Sequence, residues 1–540
     1  MKVPLTPLRC LHRAADLYGG KQGVICGSKR FTYAEFARRC QKLGAALTGA
    51  GVEQGDRVGF LSYNTHRLLE GYFGAPLARA VAMPLNVRLT PAELGAILRH
   101  SEPRVLLFEN DFAPLVEHLV AAWPFMRTIN LDTEYEAFID LAAPCDFDIM
   151  SVDEDSIAEL FYTSGSTGTP KGVMLSHRTV YMHAMAVAGT FNHDDTCVEL
   201  HTIPLFHANG WGRPQTSTMM GLKQVMVRRF DPASVCKLID EEGVTAMSLV
   251  PTMAGALLQF AGRDNFNFST LREIHIGGAA ASPELIARME QAFPGTTVMA
   301  GYGLTETCPV ASSARRKGTV VYADEADRFR HQAMAGWPLP GTEIRVVDSH
   351  MADVPRDMAT VGEVVISGDN VMDGYFREPE ATAAVMSGLW FHSGDMAVWD
   401  TEGYIHIVDR KKDIIISGGE NISSIEVERA IGAHPGVLEV AVVGAPDPNW
   451  GEIPVAIVVC HAEVAVSEED LRIFIAPRLA KFKMPRRYKF VPDPLPKGGT
   501  GKVLKRELRE QFWLGKSGAC RARRRNAGGN AGRKRLLHNQ

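Results

Sequence analysis

The chain has 540 residues, of which 46% are hydrophobic and 22% charged, with a formal net charge of −4. That length exceeds one ordinary core, so two or three domains are expected. The near-neutral balance gives no general attraction to nucleic acid, and no apolar run reaches the length of about 18 residues that suggests a membrane-spanning helix. The N-terminal stretch MKVPLTPLRCLHRAADLYGG already carries charges and lacks a long apolar segment, so it does not read as a secretory signal. Nine cysteines are scattered singly with no CxxC pair. They read as thiols of a reducing compartment, and a cytoplasmic location is expected.

Taken in chain order, RVGFLSYN (Arg57–Asn64) predicts a strand, THRLLEGYFGAPLARA a helix, and VAMPLN (Val81–Asn86) a strand again. RVLLFEN and LREIHIGG (Leu271–Gly278) continue the alternation. Such alternation predicts α/β architecture with largely parallel, buried sheets. The texture changes after Gly336. GTEIRVVDSH, GEVVISG and GYIHIVDR are short strands punctuated by Gly or Asp, so this part is expected to be β-rich. Another α/β passage follows the charge run DRKKD (Asp409–Asp413), where a domain junction is placed. The expected division is 1–411, 412–514 and a tail, 515–540. The tail holds eight basic residues, five glycines and no acid, and predicts a disordered, solvated extension. An arm for nucleic acid or for peripheral contact with an acidic membrane is its competing reading.

FYTSGSTGTPKGVMLSHR (Phe161–Arg178) packs hydroxyls and glycines together after a strand-like IAELFYT. Glycines let backbone N–H groups approach a ligand closely, and successive N–H groups form an anion-binding nest. Hydroxyls add donors and Lys171 adds a point charge, so the loop is expected to hold phosphate. It is not a Walker loop, because Pro170 precedes Lys171 and Gly172 follows it. The G-x-G-x-x-G dinucleotide fingerprint is absent as well. P-loop NTPases and Rossmann dehydrogenases are therefore disfavoured.

YTSGSTGTPKGV, PLFHANG (Pro204–Gly210), GYGLTET (Gly301–Thr307), HSGDM (His392–Met396), DRKKDIIISGGENIS (Asp409–Ser423) and PKGGTGKVLKREL (Pro496–Leu508) occur in that order. From Phe31 to Phe512 the chain thus resembles the adenylate-forming superfamily of acyl- and aryl-CoA synthetases, adenylation domains and luciferases. The resemblance implies a large N-terminal domain of stacked α/β sheets with a small β-barrel-like part, and a small mobile α+β C-terminal domain. It implies two half-reactions: a carboxylate attacks the α-phosphorus of ATP, giving acyl-AMP and pyrophosphate, and the thiol of coenzyme A then expels AMP. A carboxylic acid, ATP and CoA are the implied partners, with Mg²⁺ as cofactor. A homodimer is left open.

Residue by residue, the resemblance implies that Thr163, Ser164, Gly165, Ser166, Thr167 and Gly168 cradle the β,γ-phosphates, with Lys171 nearby. Glu306 matches a Mg²⁺ ligand and Thr305 a hydroxyl on the α-phosphate. A carboxylate suits a hard cation that also binds phosphate oxygens. Asp395 matches the acid that binds the ribose hydroxyls, and Arg410 a further ribose or phosphate contact. Gly278 and Ala279 in GGAAAS, together with Tyr302, match the adenine walls. Lys502 matches the lysine that serves adenylation on a mobile arm. Lys412 matches the pivot about which the small domain rotates, a hinge motion that brings Gly418 and Gly419 towards the pantetheine chain. His207 matches an aromatic beside the carboxylate and thiol, and Trp211 a tryptophan that gates an acyl tunnel. FHANGW is worded more like medium- and long-chain fatty-acyl-CoA synthetases than acetate or aryl-acid enzymes. MMGLKQVM and SLVPTMAGALLQF are Met- and Leu-rich, which suits an adaptable apolar pocket and equally any α/β core. The expected substrate is a medium- or long-chain fatty acid. The alternatives are a ligase for branched, alicyclic or aromatic acids, and a catalytically inactive acyl-binding relative.

Overall fold

A computed structural model describes residues 2–513 except 121–122, 124–125, 146–147, 164–169, 192, 419, 462–463, 465 and 498–502, with the main chain alone at Asn421. Ser164, Gly165, Ser166, Thr167, Gly168, Gly419, Lys502 and the basic tail therefore lie outside the described residues. The chain divides into two compact units, Met1–Ile407 and Val408–Gln540. The division falls inside the strand Ile405–Arg410.

Among the described residues the large unit holds three sheets. A seven-stranded sheet runs in the order Gly374–Tyr375, Lys171–Ser176, Ile157–Thr163, Val81–Pro84, Arg57–Leu61, Val105–Phe108, Arg127–Asn130. Its last five strands are mutually parallel. Both faces of such a sheet are covered, so its strands read as unbroken apolar runs. Val81–Pro84 and Val105–Phe108 are buried at every position. The helix His66–Leu77 between two of these strands is buried at every position but Arg67, and its first turn is capped by Thr65, which accepts from Leu68 N.

A nine-stranded sheet is parallel through its middle, where Lys223–Met226, Val198–His201, Ala246–Leu249, Glu273–Ile276 and Thr297–Gly303 lie side by side. Beyond Gly336 the chain builds a five-stranded, mostly antiparallel sheet from Thr342–Val347, Gly362–Gly368, Met386–Ser387, Trp390–Trp399 and Ile405–Arg410. One continuous core contains Met226 of the nine-stranded sheet, Leu107 and Val173 of the seven-stranded sheet, and Val364 of the third.

The small unit is α+β. Val437–Asp447 and Gly451–Cys460 form a long antiparallel hairpin. Ile415–Ser417 and Glu420–Ile422 extend the sheet at one side, and Arg487–Phe490 pairs with Gly451–Cys460. Its core joins Val442, Ala456 and Val458 of the hairpin to Val427 and Ile431 of the helix Ser424–Gly432. Among the described residues no helix is long and apolar enough to cross a membrane.

Candidate active site

The glycine–hydroxyl loop connects the two strands of a β-hairpin. Ile157–Thr163 and Lys171–Ser176 run antiparallel, and Thr163 faces Lys171 in the register. The hairpin thus fixes both ends of the connection. A Cβ at Gly172 would meet Leu160, Tyr162 and Phe376 at 3.1–3.2 Å, so the second strand packs tightly just after Lys171. Lys171 Nζ sits 4.6 Å from the centre of the Tyr375 ring. The Tyr375 hydroxyl in turn donates to Glu306 Oε1 at 2.9 Å. Burial and the Glu306 charge raise the Tyr375 pKa, which keeps this group a donor. Lys171 and Glu306, 135 residues apart in sequence, therefore share Tyr375 as a common neighbour.

Glu306 stands in the single turn Thr305–Thr307. Its carbonyl accepts from Met372 N at 2.8 Å, and the Thr307 carbonyl accepts from Asn370 Nδ2 at 3.2 Å. The turn is pinned on its other side as well. A Cβ at Gly303 would fall 1.7 Å from the Pro309 carbonyl oxygen, so only glycine fits there. Thr305, beside Glu306, is buried.

Tyr302 and Asp395 come from different sheets and meet. The Tyr302 hydroxyl donates to Asp395 Oδ2 at 2.8 Å. Asp395 N donates to Ser393 Oγ, whose own proton goes to the Val364 carbonyl. The backbone of Asp395 is thus fixed within its own strand, and its carboxylate accepts from the wall tyrosine.

Gly277 and Gly278 follow the strand Glu273–Ile276, and Gly278 has φ +75°. A Cβ at Gly277 would lie 2.9 Å from the Trp211 ring and 3.2 Å from the Gly301 carbonyl. The indole is therefore seated on bare backbone. Gly278 and Ala279 are exposed at the mouth of the strand.

Trp211 is delivered there by an unusual backbone. Ala208, Asn209, Gly210, Trp211 and Gly212 all have positive φ, between 39° and 71°. Left-handed conformation is costly for the three residues that are not glycine, and it persists only where surroundings enforce it. Asn209 supplies that enforcement. Its Oδ1 accepts from Gly212 N at 2.6 Å, and its Nδ2 donates to Glu159 Oε2 at 3.3 Å and to the Cys308 carbonyl at 3.4 Å. Gln215 Nε2 donates to Glu159 Oε1 at 2.6 Å. Glu159 is fully buried, and burial pushes its pKa up to about 8 despite these two donors. Below the loop, His183 Nε2 accepts from Val310 N, and burial holds this imidazole down at about 3, in its neutral form. A side chain at Gly212 would strike its ring at 2.4 Å. His207 opens the turn, with its amide on the Pro204 carbonyl and its carbonyl accepting from Gly210 N.

Among the expected site residues, the large unit thus groups Lys171 with Glu306, Tyr302 with Asp395, and Trp211 with Gly277 and Gly278. Arg410, Lys412 and Gly418 lie in the small unit. There the Lys412 carbonyl accepts from Arg509 Nη1 at 3.0 Å. Gly418, at φ +62°, donates its N–H to the Trp450 carbonyl and leaves no room for a Cβ beside the Trp450 ring. Tyr375 and Glu159 were not singled out from the sequence. A lone carboxylate inside the apolar run IAELFYT was a signal for Glu159, since an unpaired buried acid demands partners.

A hairpin that fixes both ends of the glycine–hydroxyl connection, an acid on a neighbouring turn and a tyrosine–aspartate pair are the arrangement expected of an adenylate-forming enzyme. The chain belongs to the AMP-binding enzyme family, whose model matches residues 11–376, with the family's C-terminal domain matching residues 426–502. It is 40% identical over 515 residues to a long-chain-fatty-acid–CoA ligase of Thermus thermophilus, covering 93% of this chain and 94% of the relative. It is 38% identical to a feruloyl-CoA synthase of Amycolatopsis, covering 93% and 98%. The crystal structure of ATP-bound MatB from Rhodopseudomonas palustris superposes with a TM-score of 0.84 at 28% identity, covering 94% of this chain and 99% of that one. The expected α/β fold, with stacked sheets in a large domain and a smaller C-terminal domain, is borne out. The protein is an AMP-forming acid–CoA ligase that uses ATP and CoA. The expectation of an inactive acyl-binding relative is not needed to account for any of these features.

Proposed function

We propose that this ligase activates a medium- or long-chain fatty acid, with the alkyl chain admitted past Trp211. The observation that supports this is the seating of the indole on the bare Gly277 and Gly278 backbone, where no side chain fills the space that the ring takes. An aliphatic chain gains from apolar surroundings because each buried methylene contributes about 0.8 kcal/mol.

In the first half-reaction a carboxylate oxygen forms a bond to the α-phosphorus of ATP, and the bond to the pyrophosphate oxygen breaks. An anion must approach a polyanion, so fixed cations and donors aimed at the developing charge lower the barrier most. Lys171 is the cation at the hairpin, Thr305 presents a hydroxyl to the α-phosphate, and Lys502 adds a second cation for this step. Tyr302 and Asp395 hold the nucleoside, with Asp395 accepting from the ribose hydroxyls and Gly278 and Ala279 walling the base. Arg410 assists the ribose or phosphate. Glu306 offers the hard carboxylate oxygens that Mg²⁺ takes, one of them oriented by Tyr375. The donor set fits the ion, which when bound would offset phosphate charge. In the second half-reaction the CoA sulfur bonds to the acyl carbon and AMP leaves. The roles proposed for this step are Gly418 and Gly419 along the pantetheine chain, His207 for the thiol and carbonyl, and Lys412 as the pivot between the two half-reactions.

A panel of acids assayed by pyrophosphate release, with and without CoA, tests the proposal. Unbranched chains should give higher kcat/KM than branched, alicyclic or aromatic acids. Higher values with branched, alicyclic or aromatic acids would refute the fatty-acid reading and leave the ligase reading intact.

A further inference from the structure

The strand Glu273–Ile276 shows two faces of opposite character. Ile274 and Ile276 join an apolar core, while Glu273 and His275 point the other way. Gly277, which carries the Trp211 ring, continues the polar face. Moving away from the indole, that face therefore presents His275 and then Glu273, at steps of about 7 Å.

Around His275 the fold gathers a polar cluster that is buried except at Glu273, which is half-buried at its edge. Glu273 Oε2 lies 3.3 Å from His193 Nε2 and 3.3 Å from His275 Nε2. Arg213, two residues beyond Trp211, places Nη1 3.4 Å from His193 Nδ1 and Nε 3.7 Å from Glu199 Oε1. Arg213, His275 and Glu199 are at most 5% exposed. Two atoms of this buried set have no aligned hydrogen-bond partner: His275 Nε2, whose approach to Glu273 is close but poorly directed, and Glu199 Oε2. Orphaned buried polar atoms are costly, and native proteins satisfy them with protein, water or ligand groups. Burial also pushes the His275 pKa down to about 4, so the ring is neutral at pH 7.

We propose that this cluster is the far end of the acyl site and binds a hydroxyl carried on the chain remote from the reacting carboxyl, so that the substrate is a hydroxy fatty acid. The inference rests on the ligase reading above and names its substrate more closely. A hydroxyl both donates and accepts, and can therefore serve the bare Glu199 oxygen or the His275 ring nitrogen. A second carboxylate is disfavoured, because the cluster already holds two, Glu199 beside the Arg213 guanidinium and Glu273 beside the two histidines, and a third would add like charge to one fixed cation. The groups do not suit a metal ion. His193 Nδ1 faces the Arg213 guanidinium and must accept, which puts the ring proton on the Nε2 that a metal would need.

The test uses the full-length enzyme and acids of matched chain length that end in a methyl group, carry a remote hydroxyl, or end in a second carboxyl. Pyrophosphate release with ATP and CoA gives kcat/KM for each. The hydroxy acid should exceed its methyl-ended match by about tenfold or more, as expected when a buried polar partner is otherwise left bare, and the dicarboxylic acid should be poorest. His275→Val should remove that preference, while His275→Asn, which keeps a donor and an acceptor, should retain much of it. Preference for methyl-ended acids at every length in the unmodified enzyme overturns the inference, whether or not the variants fold. So does an unchanged ratio in His275→Val, or stoichiometric zinc in the purified enzyme that His275→Val loses. Failure of every acid to release pyrophosphate would instead sink the ligase reading on which the inference stands.

Discussion

Tyr375 joins the two charges of the candidate nucleotide site, and paired substitutions can separate what it does for each. Tyr375→Phe removes only the hydroxyl that donates to Glu306 Oε1 at 2.9 Å. The ring under Lys171, 4.6 Å from Nζ, stays. A hydrogen bond to a charged group contributes about 1.5–3 kcal/mol, or roughly 10- to 150-fold in an equilibrium. Because Glu306 is proposed to hold Mg²⁺, that loss should appear as a rise of about tenfold or more in the KM for MgATP, with the KM for the acid unchanged. Tyr375→Leu removes the ring as well. A cation over an aromatic face adds about 0.5–2 kcal/mol, so this variant should lose a further ~2- to 30-fold in the adenylation step. Burial and Glu306 raise the tyrosine pKa, so both effects should be constant between about pH 6 and 9. The assay is acid-dependent exchange of pyrophosphate into ATP over a MgATP series, with melting temperatures to check folding. If Tyr375→Phe keeps its KM for MgATP within twofold of the parent value, Glu306 is not oriented by this hydroxyl and its assignment as the metal carboxylate loses its structural support.

Glu159 makes a stability prediction with a defined sign. Its pKa rises from 4.5 to about 8 on folding, so the protonated folded form is favoured at low pH and stability is lost as pH rises through 8. The melting temperature of the parent relative to Glu159→Gln should therefore fall between about pH 6 and pH 9, and a flat difference would show that the carboxyl is ionised in the fold. Gly277→Ala forces a methyl to within 2.9 Å of Trp211, and overpacking of about 1–3 kcal/mol should raise the KM for the acid several-fold. The double variant with Trp211→Ala should relieve that rise, and additive losses would separate the two residues. Lys502→Ala should abolish acyl-AMP formation while thioester formation from added acyl-AMP survives; near-normal adenylation in that variant would remove its proposed role.

The elements with the strongest local signals were legible, and their ends were set by distant partners. RVGFLSYN was read as a strand to Asn64, yet the strand stops at Leu61. Glu109 is the reason: its Oε1 accepts from Ser62 Oγ and from Tyr63 N, replacing the sheet ladder with a side chain from 46 residues away. The helix at His66 began where Thr65 could cap it, a purely local cause. The β-rich passage after Gly336 was visible because antiparallel strands with tight turns carry their punctuation with them.

The motifs were legible one by one, but the bonds between them were not, because each bond spans a long sequence separation. Glu159 and Thr163 share one strand, so the segment that leads into the candidate phosphate loop also carries the acid that accepts from Asn209 and Gln215. Asn209 in turn reaches the carbonyl of Cys308, immediately beyond the Thr305–Thr307 turn that holds Glu306. The left-handed run that aims Trp211 is therefore tied to the strand Ile157–Thr163 on one side and to the turn of the candidate metal acid on the other. Five consecutive positive φ values would be unaffordable on an isolated loop. They are stable here because these attachments over-determine the backbone, and that constraint is what converts a spaced set of sequence motifs into one site.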